Sequence, residues 1–344
     1  MTGGHDVDVL VVGGGPVGLA ASISARMQGL SVAVIEPREP AIDKACGEGL
    51  MPGAIPLLAR LGVKAPGRPI VGISYRSRTL HVEHRFTDGT GLGVRRTTLS
   101  AALSGRADQL GVERHLGRVR EVRQDSTGVE ANGIRARYLV GADGLHSTVR
   151  QLIGVDLGAP ADGRRFGLRR HFYVEPWSDF VEVHWTPRIE AYVTPVAEDT
   201  VGVAILGAAG TNFDEALAAI PELAHRLAGR RPASSLRGAG PFRQRTRRRS
   251  SGRVLLVGDA SGYVDAITGE GLRVGLDQAE AAVACIAAGR PGYYERAWRS
   301  CTRDFRAITT GLVAAATSPL RGGIVPLAAS APFLFSGIVE RLAR

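Results

Sequence analysis

The first recognisable element is the run Val7 to Val12, apolar at every position but Asp8. Such a run marks a parallel strand buried on both faces. It leads into Gly13-Gly14-Gly15-Pro16-Val17-Gly18, then a helical segment from Leu19 to Gln28 that Gly29 caps. A second apolar strand, Ser31 to Ile35, ends in Glu36. Strand, glycine turn, helix and strand together make a βαβ unit of about 30 residues. Two later stretches repeat the apolar-strand-then-glycine pattern, Tyr138 to Gly144 and Arg253 to Asp259. Between them lie segments of strand-like composition and alternation: Ile70 to Tyr75, Thr79 to Arg85, Phe166 to Val174, Phe180 to Trp185, Glu190 to Val196 and Thr200 to Leu206. Helices are expected at Phe213 to Arg226 and Leu272 to Ala288. The predicted fold class is α/β with an α+β second domain. A Rossmann-like domain is assembled from residues 1–69, 95–157 and 252–300. An inserted antiparallel β-sheet domain comes from 70–94 and 158–251, and 301–344 form a helical C-terminal segment.

The glycine spacing has a chemical reason. Gly13 permits the tight turn out of the strand, Gly15 lets backbone approach a pyrophosphate, and Gly18 allows close helix–strand packing. The pyrophosphate then rests on the helix N-terminus, where free N–H groups and the helix dipole favour negative charge. Pro16, within the turn, is counted with the cofactor-binding residues. Glu36, followed by Pro37 and Arg38, closes the second strand where a carboxylate accepts ribose hydroxyls. With strand, helix and terminal acid all in place, these residues define a dinucleotide site.

Composition changes the picture little. The 344 residues are 44% hydrophobic and 22% charged, as in ordinary globular proteins. The net charge of +10 is almost all arginine, since only Lys44 and Lys64 are lysines. No nucleic-acid motif accompanies it, so a solvated basic surface is expected and no nucleic-acid partner. Cys46, Cys285 and Cys301 form neither a CxxC pair nor a zinc spacing, which suits a reducing cytoplasm and no metal site. The N-terminus runs directly into a strand without a signal-peptide pattern. The apolar run Ile324 to Val339 holds Pro326 and Pro332 and is too short to span a bilayer. A cytoplasmic protein is expected, either free or touching a membrane through Phe333, Leu334 and Phe335, as monomer or homodimer.

Gly141-Ala142-Asp143-Gly144, followed by Leu145-His146-Ser147-Thr148-Val149-Arg150, and then Gly258-Asp259-Ala260 give the cofactor. With the first glycine turn, this order resembles the flavoprotein hydroxylase superfamily, whose prototype is para-hydroxybenzoate hydroxylase. The resemblance covers roughly residues 5 to 300. It implies FAD as cofactor, Asp259 on the ribityl chain, Asp143 and Gly144 toward the pyrophosphate, and Arg96 (or its neighbour Arg95) near the FAD chain. Val119 joins this cofactor set. Thr268-Gly269-Glu270-Gly271-Leu272 then lies beside the flavin ring, where a helix N-terminus stabilises reduced flavin. Lys44-Ala45-Cys46-Gly47-Glu48-Gly49-Leu50 resembles the loop of geranylgeranyl reductases, with Glu48 in place of a glycine. Ala191-Tyr192-Val193-Thr194-Pro195 is similar to a worn form of their aromatic strand motif.

Cys46, Glu48 and Tyr192 are the catalytic candidates, Cys46 also as a cofactor neighbour. For each a plainer role competes: Cys46 as a small packer, Glu48 as a solvated loop carboxylate, Tyr192 and Trp185 as core. The basic run Arg243 to Arg249 is expected as a solvated loop or a docking spot for NADPH phosphates. Without a second glycine fingerprint, NAD(P)H is expected only as a transient reductant. The resemblance implies an NAD(P)H-dependent monooxygenase that hydroxylates a hydrophobic aromatic, polyketide-like or lipid-like substrate through a flavin hydroperoxide. The competing readings are a geranylgeranyl-reductase-like enzyme reducing C=C bonds and a non-catalytic flavin-binding protein. Halogenation is disfavoured because no Trp-x-Trp-x-Ile-Pro stretch is present.

Overall fold

Val7–Val12 is the central strand of a parallel sheet, and the chain builds outward from it in both directions. In a computed structural model describing residues 4–160 and 163–344, the spatial order is Val254–Leu256, Ile134–Gly141, Val7–Val12, Val32–Glu36, Glu113–Leu116. These strands are mutually parallel. The opening Met1–Gly3 lie outside the described residues. Val9 and Val11 pack to one side with Leu19 and Ile23 of the helix Pro16–Met27, while Leu10 and Val12 pack to the other with Leu139 and Leu256. Both faces are therefore covered, as the apolar run Val9 to Val12 requires, while Asp8, the one polar position of the strand, is half-buried and accepts from Ser31.

A second sheet of seven strands runs Arg237–Ala239, Arg165–Tyr173, Thr200–Ala208, Glu190–Ala197, Phe180–Trp185, Gly72–Arg76, His81–Arg85. Neighbours are antiparallel except for the parallel pair Phe180–Trp185 and Gly72–Arg76. A small sheet of Gly49–Leu50, Gly91–Gly93 and Arg68–Ile70 joins the two layers. The close approach there requires glycine: a Cβ on Gly93 would lie 1.7 Å from the Pro195 carbonyl oxygen.

One expected helix is broken. Phe213 to Arg226 forms two short helices, Phe213–Ala218 and Pro221–Leu227. Pro221 has no N–H to continue the first, and opens the second instead. The long helices Gly271–Ala287 and Tyr294–Ala316 follow, then Ile324–Ser330 and Pro332–Ala343. Among the described residues, no single helix is long and apolar enough to cross a membrane.

Candidate functional site

The glycine turn after the central strand is as tight as the spacing predicts. Gly13 has φ +107°, and a Cβ there would lie 2.5 Å from the Ala142 carbonyl oxygen. A Cβ on Gly18 would lie 1.9 Å from the Gly13 oxygen, so only hydrogen fits between helix and strand. Gly15 is the N-cap of helix Pro16–Met27 and offers no side chain to its first amides. Those amides remain free for an anion. Arg96 completes the arrangement: its Nη2 is 3.8 Å from the point where a Gly15 Cβ would be, and its Nε is buried without a hydrogen-bond partner. Glu36 accepts from the Gly14 amide at 2.8 Å and from the Arg38 Nε at 2.7 Å.

The two Asp-containing motifs are joined by Arg150. Its buried guanidinium pairs with Asp156 at 2.6 Å and donates to the carbonyls of Leu145 at 3.1 Å and Ala260 at 3.3 Å. It also reaches Gln244 Oε1 at 3.3 Å. Asp143 lines the groove, yet its own oxygens are occupied: Ser147 Oγ donates to one at 2.5 Å and the Val149 amide to the other at 3.0 Å. It shapes the turn into helix Thr148–Leu152, and burial raises its pKa. Asp259 lies in the short turn Gly258–Ser261 with its carboxylate 3.8 Å from Lys44 Nζ. Lys44 belongs to the same groove. Nothing in the sequence ties Lys44 to Asp259, 215 residues away.

A single cavity of about 460 Å³ connects these parts. It runs from Gly15, Pro16, Glu36 and Arg38 past Arg96, Cys46 and Asp259 to Gly269, Gly271 and Leu272. The same cavity includes a chamber walled by Ile73, Tyr75, Val181, Val183, Leu206 and Phe242. The N-terminus of helix Gly271–Ala287 marks the junction.

Several expected residues take other places. Val119 is buried in the core with Val7, Leu10 and Val155, away from the cavity. Pro37 is exposed and outside the cavity lining. Gly258 packs its backbone on Val17, with φ +60°. Glu270 turns into the protein and pairs with Arg273 at 2.7 Å, and burial pushes its pKa up to about 7. Trp185 lies in the core, in line with its plainer reading, its ring centroid 5.4 Å from that of Tyr75 and tilted by 58°.

The catalytic candidates gather at the neck of the cavity. Cys46 lines it, and its Sγ accepts the Glu48 amide at 3.4 Å. Glu48 is not a solvated carboxylate. It is 3% exposed, adopts φ +61°, accepts the Arg96 amide at 2.7 Å and contacts His171 Nε2. Tyr192 also lines the cavity, but its hydroxyl donates to the Ile267 carbonyl at 2.7 Å, which braces the loop ahead of Gly269. Burial raises its pKa well above that of a free tyrosine. Thr194 Oγ1 donates to the Gly47 carbonyl at 2.8 Å, so the Cys46 loop and the Tyr192 strand are one unit.

The fold and the groove define a flavoprotein of the doubly wound dinucleotide-binding class. The family model described as FAD binding domain matches residues 6–292, and the chain belongs to that family, within the para-hydroxybenzoate hydroxylase superfamily. It is an FAD-dependent oxidoreductase. Its relatives include a menaquinone reductase of Mycolicibacterium smegmatis, 28% identical, with 86% of this chain and 80% of that protein aligned. They also include a rifampicin monooxygenase of Rhodococcus hoagii, 27% identical over 79% of this chain and 62% of its own length. A third is the 12-dehydrotetracycline 5-monooxygenase/anhydrotetracycline 6-monooxygenase of Streptomyces rimosus, 26% identical over 79% and 61%. The chain thus spans most of the reductase and less than two thirds of these two monooxygenases. The same fold occurs in the p-nitrophenol 4-monooxygenase of Pseudomonas putida, with TM-score 0.78 and 21% identity over 97% of this chain and 94% of that one. It occurs also in a flavin-dependent brominase, with TM-score 0.83 and 19% identity over 98% and 93%.

Proposed function

We propose that the protein is a monooxygenase that hydroxylates a hydrophobic aromatic or polyketide-like substrate, with NAD(P)H as a transient reductant. The observation that carries this reading is the continuity of the cavity: the groove that fits FAD opens directly into an apolar chamber. The names of the rifampicin and tetracycline relatives support it. Bound and reduced FAD supplies the activation of O₂, and the chain supplies position, dryness and charge. The free amides of helix Pro16–Met27 and the Arg96 guanidinium hold the pyrophosphate. Glu36 receives a ribose, Asp259 the ribityl chain, with Lys44 balancing its charge. The N-terminus of helix Gly271–Ala287, which lines the cavity, would favour negative charge on a flavin ring bound beside it. Glu48, with both oxygens engaged, fixes the Cys46 loop at the neck of the chamber.

A second reading, C=C reduction on a prenyl chain, is favoured by the alignment with most of the menaquinone reductase and by the Cys46 loop. Incubation with NADPH and a long-chain phenol under ¹⁸O₂ separates the two. Label in the product supports hydroxylation. Turnover of a polyprenyl quinone without oxygen, and no label in the phenol, moves the assignment to the reductase.

A further inference from the structure

Residues 307–339 contain a single charged side chain, Arg321, in a chain that is 22% charged. Arg321 is turned inward: it donates from Nε to the Thr186 carbonyl at 2.6 Å and from Nη1 to Glu190 at 2.7 Å and the Ala316 carbonyl at 2.7 Å. The outer surface of this segment therefore carries no charge. What it carries is apolar: Leu320 is 71% exposed, Leu327 61% and Phe333 74%, with Leu334 and Ile338 also exposed. The elements involved pack on one another, and the chain bends by 100° between Pro291–Ala316 and Pro319–Ser330. Exposed apolar residues this large and this concentrated mark an interaction surface.

Helix Pro332–Ala343 is apolar on two sides. Phe335, Val339 and Ala343, spaced by four, face inward. Phe335 packs 4.8 Å from Tyr75, and Val339 and Leu342 line the chamber. Phe333, Leu334 and Ile338 face outward. One helix thus separates the proposed substrate chamber from the charge-free surface.

We propose that this surface seats in the outer part of an anionic phospholipid leaflet, and that the substrate passes from the leaflet into the chamber beside Val339 and Leu342. The proposal rests on the reading of the chamber as a hydrophobic substrate site. Charge selects the occupant. Arg188 is exposed two residues from Thr186, whose carbonyl Arg321 binds; Arg303 and Arg341 are exposed and share Asp304, which leaves one of their two charges unbalanced, and the whole chain carries +10. Two copies of so basic a chain repel one another, whereas anionic headgroups attract it. The apolar tip and the basic surroundings form the two-part signal that holds a peripheral protein on such a surface.

The test is flotation of the FAD-loaded protein with vesicles of phosphatidylcholine alone and of phosphatidylcholine mixed with phosphatidylglycerol. The expected result is flotation with the mixed vesicles, weaker binding to the neutral ones, and loss of binding as salt is raised. The double variant Leu327→Ser, Phe333→Ser, with FAD content unchanged, partitions at least about tenfold less. No flotation with either vesicle overturns the proposal, as does a variant that floats like the parent. A dimer in sedimentation velocity that the same variant dissociates, without vesicle binding, assigns the surface to a second copy and also overturns it. Hydroxylation of a short, water-soluble phenol is read on the same preparations. Hydroxylation without flotation sinks only the membrane proposal, and flotation without hydroxylation sinks only the functional one.

Discussion

The carboxylate of Glu48 meets the imidazole of His171, 123 residues away in sequence and equally buried. His171 Nδ1 is in turn 2.8 Å from Ser234 Oγ. Glu48 holds a left-handed backbone conformation that favours glycine, and this contact anchors it there. Removing His171 leaves one oxygen of a buried carboxylate without its partner, while the other keeps the Arg96 amide and the nearby Arg169, so His171→Ala is expected to cost about 2 kcal/mol. Glu48→Gly removes the charge and relieves a backbone cost of about 1 kcal/mol, so it costs less. The double variant falls short of the sum of the two. Urea denaturation of all four proteins measures the coupling, and strict additivity would refute it.

Asp259→Ala is expected to emerge from purification without FAD, since the residue faces the groove beside Lys44. The ratio of released flavin to chain is the readout. Full occupancy in the variant would overturn the placement of the cofactor.

Gly18→Ala forces a methyl group to within 1.9 Å of a backbone oxygen that cannot move without breaking the turn. Loss of both FAD binding and cooperative melting is expected, because helix Pro16–Met27 must then leave the sheet. A variant with parental FAD content would show that the glycine turn relaxes more freely than its packing indicates.

Glu270 gives the protein a pH dependence of stability. Burial raises its carboxyl from an ordinary 4.5 to about 7 in the fold. Between those values the folded chain binds more protons than the unfolded one, so stability falls as pH rises through that window. The loss is on the order of 3 kcal/mol by pH 7 and above. Thermal melts from pH 5 to 8 should show a declining Tm that Glu270→Gln flattens. An unchanged slope in that variant would place the proton elsewhere.

The parallel core was legible because a strand covered on both faces has one pattern, and Val7–Val12 matches it at every position but Asp8. The strands of the second sheet were legible from alternation, as at Phe180–Trp185. The break at Pro221 was written in the sequence, but the apolar spacing on either side runs through it. The burial of Glu48 was not legible, since its partners Arg96 and His171 come from distant segments. The burial of Val119 was not legible either: a valine beside a groove and a valine in the core read alike.

Arg150 binds carbonyls from two of the three segments that make the cofactor groove, and the last of them, Gly258–Ser261, lies late in the chain. A chain emerging from the ribosome has its glycine turn early and its Asp259, with Gly269, Gly271 and Leu272, late. For most of its synthesis the first βα unit exists without the side that closes over the cofactor. Loading is thereby tied to the end of translation, and a truncated product keeps the fingerprint yet has no means of retaining a flavin.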